Sequence, residues 1–309
     1  MKKIFFSDLL DNKINLEGYI YDLNNKIDII NKYLDIYDNM SYWKEEIINS
    51  FIFEGDKNIN INYKLLLECL SEKIIDPEKV FNSIFKNEKF IRDTNKRVSI
   101  SDYVPIDYSL LSKDIIKKFV NDIICKKNIF ISYIGYVLYE CIHPSTDGNG
   151  RIGRLLFLEN TTFGDYYPIT TIINKINISN VKNIFKFFNS QIIEIHNKDD
   201  ILDSLYNCEI TTDIIDMIYN LLNKILIGKV IYFYFNRILP KYIDDEKIFS
   251  KWYKLGNNII NNPNYTFNLT IKYLKRLFSK YNEKKDEIFN SIDDFISVLY
   301  QLNVFKSFD

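Results

Sequence analysis

Ile20, Leu23, Ile27, Ile30 and Leu34 fall three or four positions apart, the spacing that sets side chains along one face of a helix. The pattern predicts a helix within residues 1–50. It returns over 62–86, where Asp76-Pro77 marks a helix start: aspartate caps free N–H groups, and proline suits the first helical position. Residues 88–107 break the rhythm. Polar turn residues run from Asp93 to Lys96, the alternating Val98-Ser99-Ile100 follows, and Pro105 ends the stretch, which is the pattern of a short β-hairpin. Helical spacing resumes over 111–124, 129–142, 151–160 and 179–195. Residues 209–309 read as further amphipathic helices, broken at Pro240 and around Gly256 to Pro263. The expected fold is all-α with one small hairpin. Its expected parts are an N-terminal helical region over 1–60, a core domain over 61–205 and a helical C-terminal domain over 206–309. No internal repeat is present.

The most apolar segment, Ile225 to Phe235, contains Lys229 and lies between Lys224 and Arg237. It is well short of the roughly 20 apolar residues that cross a bilayer, so it reads as a core helix. Near the start, Asp8 and Asp11 interrupt the apolar run, which does not make a signal peptide.

Composition narrows the classes. Of 309 residues, 47% are hydrophobic and 26% charged, a balance that builds packed cores rather than disordered chains. The net charge is -1, which gives no electrostatic case for nucleic acid or membrane binding. Cys69, Cys125, Cys141 and Cys208 show no CxxC spacing, and only two histidines accompany them. Neither a zinc site nor a disulfide framework is expected, which fits a reducing, cytoplasmic setting. Alanine is absent, while Ile, Asn and Lys abound. This reads as the mark of an AT-rich genome, and runs such as Asn257-Asn258 read as bias rather than signal.

Against that background one segment is unusual. His143 to Arg154 holds one of the two histidines, three of the nine glycines, one of the six prolines and two arginines. Pro144 disfavours continued helix at His143. Gly148 and Gly150 flank Asn149 and readily take positive φ, so successive N–H groups can converge into an anion-binding nest. A helix opening near Arg151 adds its unpaired N–H groups and positive dipole end. Asp147 is a hard oxygen ligand suited to Mg²⁺. Arg151 and Arg154 are two fork-shaped cations, and His143 is a group able to act as a base.

The ordered set His143-Pro144-Ser145-Thr146-Asp147-Gly148-Asn149-Gly150-Arg151-Ile152-Gly153-Arg154 resembles the hallmark of the Fic family, His-Pro-Phe-x-Asp/Glu-Gly-Asn-Gly-Arg-x-x-Arg. The resemblance extends from about Phe90 to about residue 195. It implies the Fic helical bundle with a β-hairpin flap, to which the C-terminal helices are additional. It also implies protein adenylyltransfer: AMP passes from ATP to a Tyr, Thr or Ser hydroxyl of a target protein or of the chain itself. His143 would be the general base. Gly148, Asn149, Gly150, Arg151 and Arg154 would hold the phosphates, with Mg²⁺ on Asp147. The flap residues Arg97, Val98, Ser99 and Ile100 would clamp the target by β-pairing.

One hallmark position departs. Ser145 stands where the family has a core-anchoring Phe, and Tyr139 or Phe157 is offered as the substitute anchor. That departure keeps a second reading open, a weakly catalytic nucleotide-binding regulatory protein. Transfer of another phosphate-containing group also stays open. Upstream, Ser50-Phe51-Ile52-Phe53-Glu54-Gly55 resembles the family's inhibitory motif, Ser/Thr-x-x-x-Glu-Gly/Asn. It implies an autoinhibited enzyme in which Ser50, Glu54 and Gly55 set Glu54 against Arg154. His196 reads as a surface or capping residue. Thr270 to Phe308, with Lys272, Lys275, Arg276 and Lys280, reads as a solvated helix face rather than a degenerate winged helix, and the other use open to 209–309 is target docking or dimerisation.

Overall fold

The computed structural model describes residues 3–37, 61–85, 88–94, 104–124, 126, 128–159, 178–197, 200–242 and 285–303. The hairpin residues Arg97, Val98, Ser99 and Ile100 lie outside the described residues, as do Ser50, Glu54 and Gly55.

The described chain begins with strand β1 (Ile4–Phe5), the short helix α1 (Phe6–Leu10) and the long helix α2 (Glu17–Tyr37). Leu23, Ile30 and Leu34 of α2 are fully buried, as their spacing requires. Two helices of eight residues follow, α3 (Tyr63–Leu70) and α4 (Pro77–Ile84). Asp76 caps α4, its carboxylate accepting from the N–H groups of Glu78 and Lys79. A single 3₁₀ turn at Tyr108–Leu110 leads into α5 (Lys113–Ile124).

Helix α6 (Ile129–Ile142) is the centre of the molecule. Every residue in it except Tyr136 is buried. Its sequence, IFISYIGYVLYECI, is apolar all round, and such a helix must be packed on all sides. Asn128 caps its start, accepting from the N–H groups of Phe130 and Ile131. Around it stand α5, α7 (Asn149–Glu159), α8 (Ile178–Ile192) and, beyond the short α9 (Ile201–Tyr206) and strand β2 (Glu209–Ile210), α10 (Thr212–Phe233). The core helix expected at 225–235 is the second half of α10. That helix loosens into a π turn at Tyr234–Ile238 and a 3₁₀ turn at Leu239–Lys241, where Pro240 lacks the N–H that a helix needs. Helix α11 (Lys285–Gln301) packs on α2 and α10.

The two-stranded sheet among the described residues lies away from the expected hairpin, whose residues 95–103 fall outside the described part. β1 pairs antiparallel with β2, Ile4 opposite Ile210 and Phe5 opposite Glu209. The far edge of β2 is closed by Gln191 of α8, whose amide accepts from the Glu209 N–H at 2.6 Å and donates to the Glu209 carbonyl at 3.0 Å. Buried side chains from 6–34, 61–205 and 208–302 belong to one continuous apolar cluster. A polar seam joins α2 to α10: Lys26 Nζ lies 2.6 Å from both Asp22 and Asn223, and the Tyr219 hydroxyl donates to Asp22 at 2.7 Å. No described helix is long and apolar enough to cross a membrane.

Candidate active site

The site is built where α6 ends and α7 begins. His143 closes α6 in the left-handed conformation (φ 51°, ψ 61°), its N–H donating to the Tyr139 carbonyl at 3.0 Å. For a non-glycine residue this backbone costs about 1 kcal/mol, so surrounding contacts must hold it. They come from residues 85–94, on the far side of the loop.

Arg92, 4% exposed, makes the first set. Its Nε donates to the His143 carbonyl at 2.7 Å, and its backbone N–H donates to the Pro144 carbonyl at 2.8 Å. One Nη reaches the Thr94 carbonyl at 3.0 Å and the other the Ile106 carbonyl. Phe90 makes the second. Its carbonyl accepts the Ser145 hydroxyl at 2.7 Å, with Ser145 wholly buried. The expected aromatic anchor is therefore replaced by a hydrogen bond. The Tyr139 ring packs beside Gly153 of α7. The Phe157 side chain lies outside the described part.

Aromatic mass is still present below the loop. Phe81 and Phe85 of the α4 end lie 4.8 Å apart, and Phe81 lies 5.7 Å from Phe90. The Phe85 ring reaches Gly148, where an added Cβ would come within 2.4 Å of it. Gly148 has φ +83°, so both space and backbone demand glycine there. The guanidinium of Arg151 covers the other part of the same ring, 4.6 Å from its centroid, a cation–π contact.

Asn149 turns inward. Its side-chain amide donates to the Ser145 carbonyl at 2.7 Å and accepts from the Ser145 N–H at 2.8 Å. The side chain thus braces the loop, and what Asn149 offers an anion is its N–H in the first turn of α7. Gly148, Asn149 and Gly150 meet the requirement for a cradle: a positive φ, then a helix N-terminus. Arg151 and Arg154 are each 4% exposed on that helix.

Asp147 Oδ1 accepts from the Gly148 N–H and from Arg151 Nη2, both at 2.6 Å. The Asp147 side chain is 61% exposed, whereas that of Arg151 is 5% exposed. A carboxylate presented to solvent fits Mg²⁺, which binds through one or two carboxylates plus substrate phosphates and retained waters. Among the described residues no group of three or more His, Cys, Asp or Glu clusters as a metal cage.

His143 is buried, and burial pushes its pKa down to about 4. The Arg92 cation acts in the same direction, while a backbone hydrogen bond with Glu140 and the Asp147 charge oppose it. The imidazole is neutral at pH 7, the form a general base requires. His196, the other histidine, is exposed in the turn after α8.

Sequence reasoning brought together His143, Asp147, Gly148, Asn149, Gly150, Arg151 and Arg154, and the structure sets them in one helix–loop–helix. It missed Phe85, Phe90 and Arg92. Arg92 had a signal available, since arginine is scarce in this chain and lysine supplies most of its positive charge. Gly153 also acquires a role. An added Cβ would meet Tyr136 at 2.9 Å and Tyr139 at 3.3 Å, so this glycine lets α6 and α7 approach. Comparison with protein-family models, with curated proteins and with solved structures gives no match to the chain.

Proposed function

We propose that the protein is an autoinhibited adenylyltransferase of the Fic type, transferring AMP from ATP to a hydroxyl of a protein target or of itself. One observation carries the reading. A buried, neutral histidine at a left-handed helix end shares a single loop with an exposed carboxylate, a positive-φ glycine and a helix N-terminus bearing two arginines.

The chemistry asked of these residues is positioning and charge stabilisation. His143 takes the proton from the target hydroxyl as its oxygen attacks the α-phosphorus. The bond to the leaving pyrophosphate breaks, and the proton passes from His143 to solvent. The N–H groups of Asn149 and Gly150, joined by that of Gly148 once Asp147 turns from it to the metal, hold phosphate oxygens, and Arg151 and Arg154 offset the charge of the triphosphate. Mg²⁺, held by Asp147 and the phosphates, supplies further charge neutralisation when bound. Asp147 and Arg151 neutralise each other at 2.6 Å in the structure. A nucleotide with its metal offers each a new partner of opposite charge. Phosphates beside His143 also favour its charged form and raise its pKa toward the working range.

On this reading, which rests on the resemblance of Ser50–Gly55 to the inhibitory motif, Glu54 would pair with Arg154 and take the γ-phosphate position. The test is the Glu54→Gly chain incubated with Mg²⁺, cell lysate and ATP labelled at the α-phosphate, with intact-mass spectrometry of the chain alongside. Strong labelling, or a mass gain of one AMP, that is abolished by adding His143→Ala supports the proposal. Nucleotide binding with no adduct from ATP, UTP or CDP-choline favours the regulatory reading. Labelling equal to that of the wild-type chain removes Glu54 from the inhibitory role.

A further inference from the structure

We infer that Arg92 is the positioning residue for His143: its planar fork fixes the helix end from which the imidazole projects and ties it to two other stretches of backbone. The inference deepens the reading of His143 as the general base and rests on it. Arg92 lies outside the loop that carries the phosphate-binding groups, and it touches the carbonyl rather than the imidazole of His143.

The geometry is specific to arginine. Nε donates to the His143 carbonyl at 2.7 Å, one Nη to the Thr94 carbonyl at 3.0 Å and the other to the Ile106 carbonyl. Three carbonyls from three chain positions thus converge on one rigid plane. A lysine ammonium, compact and without a planar fork, cannot reproduce this arrangement. The backbone N–H of Arg92 adds a bond to the Pro144 carbonyl at 2.8 Å, and two residues earlier the Phe90 carbonyl takes the Ser145 hydroxyl. Residues 143, 144 and 145 are therefore each tied to the 90–92 segment. With φ at 51°, His143 sits in a backbone well that a loosened loop would leave, and a displacement near 1 Å is enough to cost a reaction about 100-fold.

Arg92 also acts on His143 through charge. Burial is the largest cause of the low pKa; the Arg92 charge adds to it by disfavouring the imidazolium, and the Asp147 charge opposes it. Replacing Arg92 by a neutral residue raises the histidine pKa, and a purely structural role elsewhere in the fold would leave it unmoved.

The experiment uses the full chain and two readouts. Ring-proton NMR follows the titration of His143, assigned against His196→Gln, because the chain has only two histidines. In parallel, kcat and KM for ATP are measured in the Glu54→Gly background. In Arg92→Gln the His143 pKa rises from about 4, and burial, the larger cause, still holds it below 6.5. Its kcat falls roughly 10- to 100-fold, and KM for ATP stays near that of the parent. Arg92→Lys, which keeps the charge without the fork, loses kcat with a smaller change in titration, and it serves alone if Arg92→Gln does not fold. Folded variants with the parent's titration and the parent's kcat overturn the inference. If His143 titration follows Arg92 while no form of the chain transfers AMP, the positioning role stands and the transferase reading falls.

Discussion

Ser145→Ala removes one oxygen and leaves the rest of the loop in place, which makes it a clean perturbation of the site. The hydroxyl donates to the Phe90 carbonyl at 2.7 Å, and Ser145 is 0% and Phe90 4% exposed. Without the donor, the carbonyl is left buried and short of a partner, at a cost of about 1–3 kcal/mol. The two bonds between the Ser145 backbone and the Asn149 side chain do not involve the hydroxyl and should persist. Ser145→Phe restores the family's residue but has no space to occupy, because Ser145 is wholly enclosed and the Phe81, Phe85 and Phe90 rings already fill the region below. Overpacking adds about 1–3 kcal/mol to the lost hydrogen bond. The expected order of stability is wild type, then Ser145→Ala, then Ser145→Phe. Urea denaturation monitored by far-UV circular dichroism gives the differences directly. Thermal melts should follow, at about 2–4 °C per kcal/mol for a chain approaching this size. Ser145→Phe matching or exceeding wild type in stability would refute the reasoning. It would mean that an apolar anchor site exists and that the Ser145–Phe90 bond is incidental.

Three other outcomes follow from the same geometry. Asn149→Asp keeps the acceptor for the Ser145 N–H but replaces the donor to its carbonyl with a second oxygen. A loss of about 1–3 kcal/mol is expected in urea melts, and unchanged stability would remove the brace. Gly153→Ala sets a Cβ 2.9 Å from the Tyr136 ring and should cost about 1–3 kcal/mol, unless the melting temperature shows that the ring yields freely. Below pH 6.5 the unfolded chain protonates its histidine while the folded chain refuses the proton until about pH 4. Stability therefore falls as pH drops through that window, by roughly 3 kcal/mol at most from this group. His143→Gln should flatten that part of the pH–stability curve, and a curve as steep as wild type counts against the depressed pKa.

The limits of the sequence have physical causes that differ from residue to residue. Helix α6 was legible to its ends because its stop and start signals are local: Asn128 caps the N-terminus, and Pro144 follows His143. The same holds for Asp76-Pro77 before α4. The loop of the candidate site stood out because its residues lie within twelve positions and their types are scarce. What holds that loop was not legible, because it comes from elsewhere: the Ser145 hydroxyl finds a backbone carbonyl 55 positions away, and Arg92 reaches a carbonyl 51 positions away. No residue type at position 90 announces that its carbonyl will be needed. Asparagine is the opposite case, hidden by abundance. Asn121 pairs with both backbone groups of Ile75, Asn149 with those of Ser145, and Asn189 with those of Val104. Each side-chain amide offers the same donor and acceptor as a neighbouring strand, so it can dock an extended segment onto a helix without a sheet. Three asparagines thus supply backbone partners in a mostly helical protein. The consequence for the site is direct, since one of those amides holds Ser145 and another holds Val104 at the end of the stretch that starts at Arg92.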